Sequence, residues 1–283
     1  MKIREKIFGR VLLLCVLAVA GNGDAMAQLD LKNDTLECPI IGFSVGMMAP
    51  SNALSKATSA NGSAVEGLRM SDLYSAPWMN VGLDVIYKFK SNWLLMGEGN
   101  MWFAGNNLKN RTVRMGSVYT SEGLIIGSGG MDATATCSNR GFSIEAGGGR
   151  VFALVPEKNP NSGILALMRA GYLRQQTIFM LNQDHAPQLE NDMALLYDHQ
   201  RHGFTLTEGV GFWYMNNKRT LMNLYVGLEV KQCWTWSTRD YVIDYSAGLQ
   251  GKDRNRYFDW IWSLKLCWMF PLTGKASHDY YFY

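Results

Sequence analysis

The chain has 283 residues, of which 47% are hydrophobic, 12% aromatic and only 18% charged. So low a charge content excludes a disordered chain or one built to bind nucleic acid, and no apolar run beyond the leader reaches the ~18 residues of a membrane-spanning helix. Glycine is plentiful (29) and proline scarce (7), which suits long, twisted strands interrupted at few points.

Lys2, Arg4, Lys6 and Arg10 precede the apolar stretch 11–20, and Ala25-Met26-Ala27 supplies a small-x-small cleavage pattern. Residues 1–27 therefore read as a secretory signal peptide. Cys15 would suit a lipoprotein leader, but Leu14 before it is too bulky. The leader carries away four cations and two anions (Glu5, Asp24), leaving 23 Lys+Arg against 22 Asp+Glu of the original 27 and 24. The basic character of the whole chain is thus no sign of an anionic partner. Residues 28–39 follow as a periplasmic segment.

A series of amphipathic strands begins at 40–48. In 79–89, Val81, Leu83, Val85, Tyr87 and Phe89 share one face, with Asp84 and Lys88 on the other. In 93–103, Trp93, Leu95, Met101 and Phe103 oppose Glu98 and Asn100. The alternation is faintest in the next three, 139–154, 163–174 and 203–215, where Arg150 and Glu208 fall on the apolar face. Both lie beside glycines (Gly147 to Gly149; Gly209 and Gly211), where a bulge would turn the charge inward. In 220–234, Met222, Leu224, Val226, Leu228 and Val230 alternate with Asn223, Tyr225, Gly227, Glu229 and Lys231. In 257–270, Phe258, Trp260, Trp262, Leu264, Leu266, Trp268 and Phe270 oppose Asp259, Ser263 and Lys265. A soluble sandwich cannot expose so long an apolar row; lipid accepts it.

The strands are joined alternately by short segments (90–92, 155–162, 216–219) and long ones (49–78, 105–138, 175–202, 237–256). That pattern predicts an all-β fold, an antiparallel up-and-down transmembrane β-barrel of eight strands over 40–270, with short turns periplasmic and long loops outside the cell. Stretches such as 198–202 and 252–256 would then be reachable from the medium. Ten strands is the alternative, with Val113–Tyr119 and Gly123–Gly129 forming an extra hairpin. Residues 271–283 form an aromatic tail beyond Pro271.

An eight-stranded barrel has room inside for side chains and little else. The predicted inward charges are Asp84, Lys88, Glu98, Glu145, Arg169, Glu229, Lys231, Asp259 and Lys265. Such charges are tolerable only if they pair. A tight turn at 90–92 sets Asp84 opposite Glu98, which requires a neighbouring cation or a raised pKa. The lipid-facing set includes Val226, Leu228, Trp260, Trp262, Leu264 and Trp268. Of the four cysteines after the leader, Cys38 precedes the first strand and Cys267 lies near the end of the eighth, strands that barrel closure makes neighbours, and their pairing is favoured if a disulfide forms; buried free thiols are the alternative. His185, His199 and His202 gather in the third long loop with Asp184, Asp192 and Asp198, a composition suited to acid–base chemistry or a metal. No nucleophile setting accompanies them. Nothing in the sequence calls for a cofactor or a metal.

Residues 203–245, with their Glu208-Gly209-Val210-Gly211-Phe212-Trp213-Tyr214-Met215 arm, and the closing Asp279-Tyr280-Tyr281-Phe282-Tyr283 resemble small outer-membrane β-barrel proteins of Bacteroidetes. That group includes accessory barrels of the type IX secretion and gliding-motility apparatus. The resemblance covers about the last eighty residues. It implies a barrel in the outer membrane of a Gram-negative bacterium, not an enzyme, that anchors or assembles other components. Its implied partners are outer-membrane lipid and envelope proteins, with no nucleic acid. An enzyme acting on lipid or peptide through the third loop, or a narrow channel, are the alternatives.

Overall fold

A computed structural model of the chain describes residues 35–59, 62–64, 68–109, 118–122, 124–182, 185–216, 223–238, 240–244, 249–252 and 254–272. The signal peptide and the aromatic tail from 273 onward lie outside the described residues. In chain order the strands are β1 (Cys38–Thr58), β2 (Trp78–Lys88), β3 (Trp93–Phe103), β4 (Ile125–Ile126), β5 (Asp132–Ala153), β6 (Gly163–Asn182), β7 (Arg201–Tyr214), β8 (Asn223–Ser237), β9 (Asp240–Asp244), β10 (Leu249–Lys252) and β11 (Arg256–Pro271).

Eight of these close a ring in the order β1-β2-β3-β5-β6-β7-β8-β11, every pair antiparallel, with β11 returning to β1. The eight-stranded reading therefore holds. Part of the proposed extra hairpin lies outside the described residues. What is described of it, the two-residue β4, pairs with the loop end of β5 while β3 pairs β5 directly, so no further strand enters the wall. β9 and β10 form a separate hairpin.

The register fixes the geometry. Followed from Ala153 through Gly163, Trp213, Tyr225, Cys267, Ser44, Gly82 and Asn100, the ladder returns to β5 at Ser143, ten residues from its start. Eight strands with that stagger tilt by about 40°. On the outer face, Trp93, Phe152, Phe212, Tyr214, Trp268 and Phe270 ring the short-turn end, and Phe103, Tyr172, Phe204, Trp234, Trp260 and Trp262 ring the loop end. Trp93 and Phe103 terminate β3, and at about 3.3 Å per residue and this tilt they stand about 25 Å apart along the barrel axis. That is the height of the apolar band of an outer-membrane barrel, with its aromatic girdles.

The strands outrun the predicted segments on the loop side: β1 extends to Thr58, β5 begins at Asp132 and β6 reaches Asn182. Hydrogen bonding there does not depend on the apolar alternation that marks the lipid-embedded part. The expected bulges at Arg150 and Glu208 do not form. Every residue from Thr134 to Ala153 pairs with β6, and the β7 ladders run unbroken on both sides, so a bulge would forfeit hydrogen bonds in a solvent that offers no replacement. Both charges stay outward. Arg150, near the short-turn girdle, lies 5.5 Å from the ring centroids of Trp93 and Phe152, and its long side chain can reach the interface from there. The irregularity in the wall's ladders lies at Ser51–Lys56 of β1.

The favoured disulfide is also corrected. Cys38, Cys137, Cys233 and Cys267 are all free thiols. β1 and β11 are indeed neighbours, but Cys267 faces Ser44, six residues along β1 from Cys38. That separation is about 20 Å of strand, far beyond the ~7 Å that a disulfide spans.

Candidate functional site

The interior is built in three layers. At mid-height, cross-strand pairing sets Asp84 beside Glu98 and Glu98 beside Glu145, three carboxylates in one row. Like charges so placed require cations, and three arrive from other strands. Lys265 of β11 reaches Asp84 and Glu98, each at 2.7 Å. Arg169 of β6 lies 2.6 Å from both Glu98 and Glu229 and 3.7 Å from Glu145. Lys231 of β8 pairs with Glu145 at 2.5 Å and donates to Ser143 Oγ at 2.8 Å. Asn100 donates to Glu98 at 3.1 Å and the Tyr225 hydroxyl to Glu229 at 3.4 Å. The Tyr225 ring lies across Gly211 and Gly227, where a Cβ would collide with it; the two glycines make room for it.

Two apolar layers close this charged one. On the short-turn side, Ile40, Ile86, Leu94, Leu165, Trp213, Met215 and Met269 pack together with the incoming Leu36. Asn161, on the turn after β5, accepts from the Leu36 N–H at 2.8 Å and from Lys88 Nζ at 3.0 Å. On the loop side, the first long loop folds inward: its single helical turn Met70–Leu73 buries Met70, Leu73 and the following Tyr74 against Trp78, Trp102 and Ile261. The Met70 N–H donates to Asp259 Oδ1 at 3.0 Å, and the Tyr74 hydroxyl lies 2.6 Å from Thr177 Oγ1. Arg201 lies over the Tyr257 ring at 3.5 Å and donates to the Leu68 carbonyl at 2.6 Å.

Of the nine interior charges named from the sequence, seven thus converge: Asp84, Glu98, Glu145, Arg169, Glu229, Lys231 and Lys265. Lys88 and Asp259 are buried as well but stand apart. Lys88 makes no carboxylate pair among the described residues and is held by the Leu36 carbonyl and Asn161; Asp259 holds the loop plug. Sequence reading missed that plug and Arg201. A short helical turn in a long loop has no periodicity to announce it, and Arg201 reads as a loop cation. The stretch Asp198–Arg201, expected to be reachable from outside, is buried. Val226, Leu228, Trp262, Leu264 and Trp268 face outward, and Trp260 is half-exposed on the same face.

The three histidines do not form one constellation. His185 is exposed beside Glu190 at 3.0 Å, His199 is buried at the base of the loop, and His202 lies on the outer face of β7 against Tyr172 and Trp236. Among the described residues no group of three His, Cys, Asp or Glu could hold a metal.

No family model matches the chain, and no curated protein matches it. Solved structures similar to it include Ail, the attachment invasion locus protein of Yersinia pestis, at 12% identity and a TM-score of 0.36, covering 82% of this chain and 99% of that one. The outer membrane protein OprG of Pseudomonas aeruginosa is 14% identical, with a TM-score of 0.33 over 85% of this chain and 98% of its own. Neisserial surface protein A gives 10% and 0.32 over 80% and 95%.

Proposed function

We propose that this chain is a non-enzymatic barrel of the outer membrane that anchors or assembles other envelope components, with its long loops outside the cell. The observation that carries this reading is the interior, where seven charges pair with one another between two apolar layers. The dispersal of the histidines supports it. The resemblance of residues 203–245 to Bacteroidetes barrels names a type IX secretion or gliding-motility complex as the assembly it serves.

Refolded protein in planar bilayers should give no unit conductance; reproducible steps would favour a channel instead. Replacing His185, His199 and His202 together with Gln should leave the cellular phenotype of the wild type intact. Loss of that phenotype with normal surface amounts would favour the enzyme reading. Photo-crosslinking from the loops in whole cells should capture secretion or gliding components, and their absence beside other reproducible partners would remove the named complex.

A further inference from the structure

On the outer face, where β3, β5 and β6 meet the loop-side girdle, lies a cleft of about 590 Å³ lined by Met101, Phe103, Arg140, Phe142, Arg174 and Gln176. Its floor is apolar: Met101, Phe103 and Phe142 stand in adjacent ladders. Its upper edge is cationic. Arg140 pairs with Gln176, and Arg174 with Phe142, so the two arginines are diagonal neighbours on one face, with Cβ atoms about 7 Å apart. Among the described residues no carboxylate lines the cleft. Neither arginine makes an ion pair among the described residues; Arg140 has only Met180 Sδ, at 3.8 Å. Arg150, at the other girdle, by contrast lies against two aromatic rings.

Two uncommitted guanidiniums are therefore held at the height where acyl chains give way to headgroups, above a hydrophobic floor that runs into the band. A phosphate, common to the headgroups of membrane phospholipids, fits the fork geometry of guanidinium bidentately, and basic pockets at the membrane surface are where lipid headgroups bind. Below the floor, Gly97, Ala146 and Ala170 form one in-register row that leaves a shallow track for a chain.

We propose that this cleft binds an anionic membrane lipid with a phosphomonoester headgroup, its phosphate between Arg140 and Arg174 and an acyl chain over Met101 and Phe142. The full chain, refolded in neutral detergent, would be titrated with phosphatidic acid and with phosphatidylcholine of matched chains, and bound lipid counted by native mass spectrometry. One phosphatidic acid should be retained where phosphatidylcholine is not. Arg140→Gln with Arg174→Gln should weaken that retention at least tenfold, whereas Arg150→Gln should leave it unchanged. Heat-modifiable electrophoretic mobility reports that each variant is folded. Should the double Gln variant not refold, Arg140→Lys with Arg174→Lys keeps the charge but loses the fork, and should still weaken retention severalfold. Equal retention by the folded variant, or equal loss in Arg150→Gln, overturns the site. Millimolar inorganic phosphate displacing the lipid completely would show a free-anion site and overturn the lipid.

Discussion

The two sides of the barrel wall solve the same problem with different side chains. Across β8, β11, β1 and β2, the middle of the outer face carries Val226, Leu228, Leu264, Leu266, Val45, Met47, Val81, Leu83 and Val85, all exposed. Across β3, β5, β6 and β7, the middle carries Gly97, Gly99, Ala146, Gly148, Ala166, Ala170 and Glu208 between fewer large exposed residues, Leu95, Met101, Ile144, Met168 and Val210. The ladders are continuous on both sides, so barrel closure needs no apolar bulk: every strand hydrogen bond is satisfied within the wall. Bulk determines how strongly a wall prefers lipid, and by that measure the β3–β7 side is the weaker one. Glu208 sharpens the contrast, since it lies four residues from both Phe204 and Phe212 on the outer face of β7, midway between the girdles.

The ion pairs bind the two sides together across the lumen: Arg169 of the thin wall holds Glu229 of the bulky one, while Lys231 and Lys265 of the bulky wall hold Glu145 and Glu98. Arg169→Met should have the largest effect, since it strips the buried Glu229 of its cation and leaves Glu98 and Glu145 with one lysine each; the expected loss is about 3–5 kcal/mol, read from urea-dependent folding into vesicles. A loss below about 1 kcal/mol would mean that water or protons replace the cation easily. Next, Leu228→Arg and Ala170→Arg should each cost about 2–4 kcal/mol, the range for a cation at mid-bilayer. Equal costs would show that both walls meet lipid, and a much smaller cost at Ala170 would show that the thin wall does not. Glu208→Leu should stabilise the folded state by about 1 kcal/mol, since an outward carboxylate is a lesser burden than an arginine; destabilisation would reveal a favourable contact at that carboxylate. The smallest effect is expected at Gly99, where a Cβ would meet nothing within 4 Å. Gly99→Val should add about 0.5 kcal/mol by restricting the unfolded chain, and a loss there would indicate that something packs on this strip.

The same contrast explains what could be read from the sequence. The bulky wall announces itself. Residues 257–270 and 220–234 alternate so regularly that strand, face and register follow from the apolar period alone, and Asp259, Ser263 and Lys265 are inward by default. On the thin wall, glycine and alanine carry no signal of side, which is why strands 139–154, 163–174 and 203–215 were the faintest. Arg150 and Glu208 were expected to need a bulge only because the period allowed no outward charge. The two-residue alternation and the spacing of turns determined the barrel, its strand number and most of the inward set, because both are local consequences of pleating in a wall with lipid on one face.

Only the closed structure decided the rest. Which inward charges meet depends on stagger: ten residues of offset around the ring bring Lys265 to Asp84 and Glu98 while leaving Lys88 and Asp259 at opposite ends. The same offset carries Cys267 away from Cys38. The Met70–Leu73 plug, the buried Arg201 and the Arg140–Arg174 cleft likewise join residues far apart in the chain, through contacts that no local period encodes.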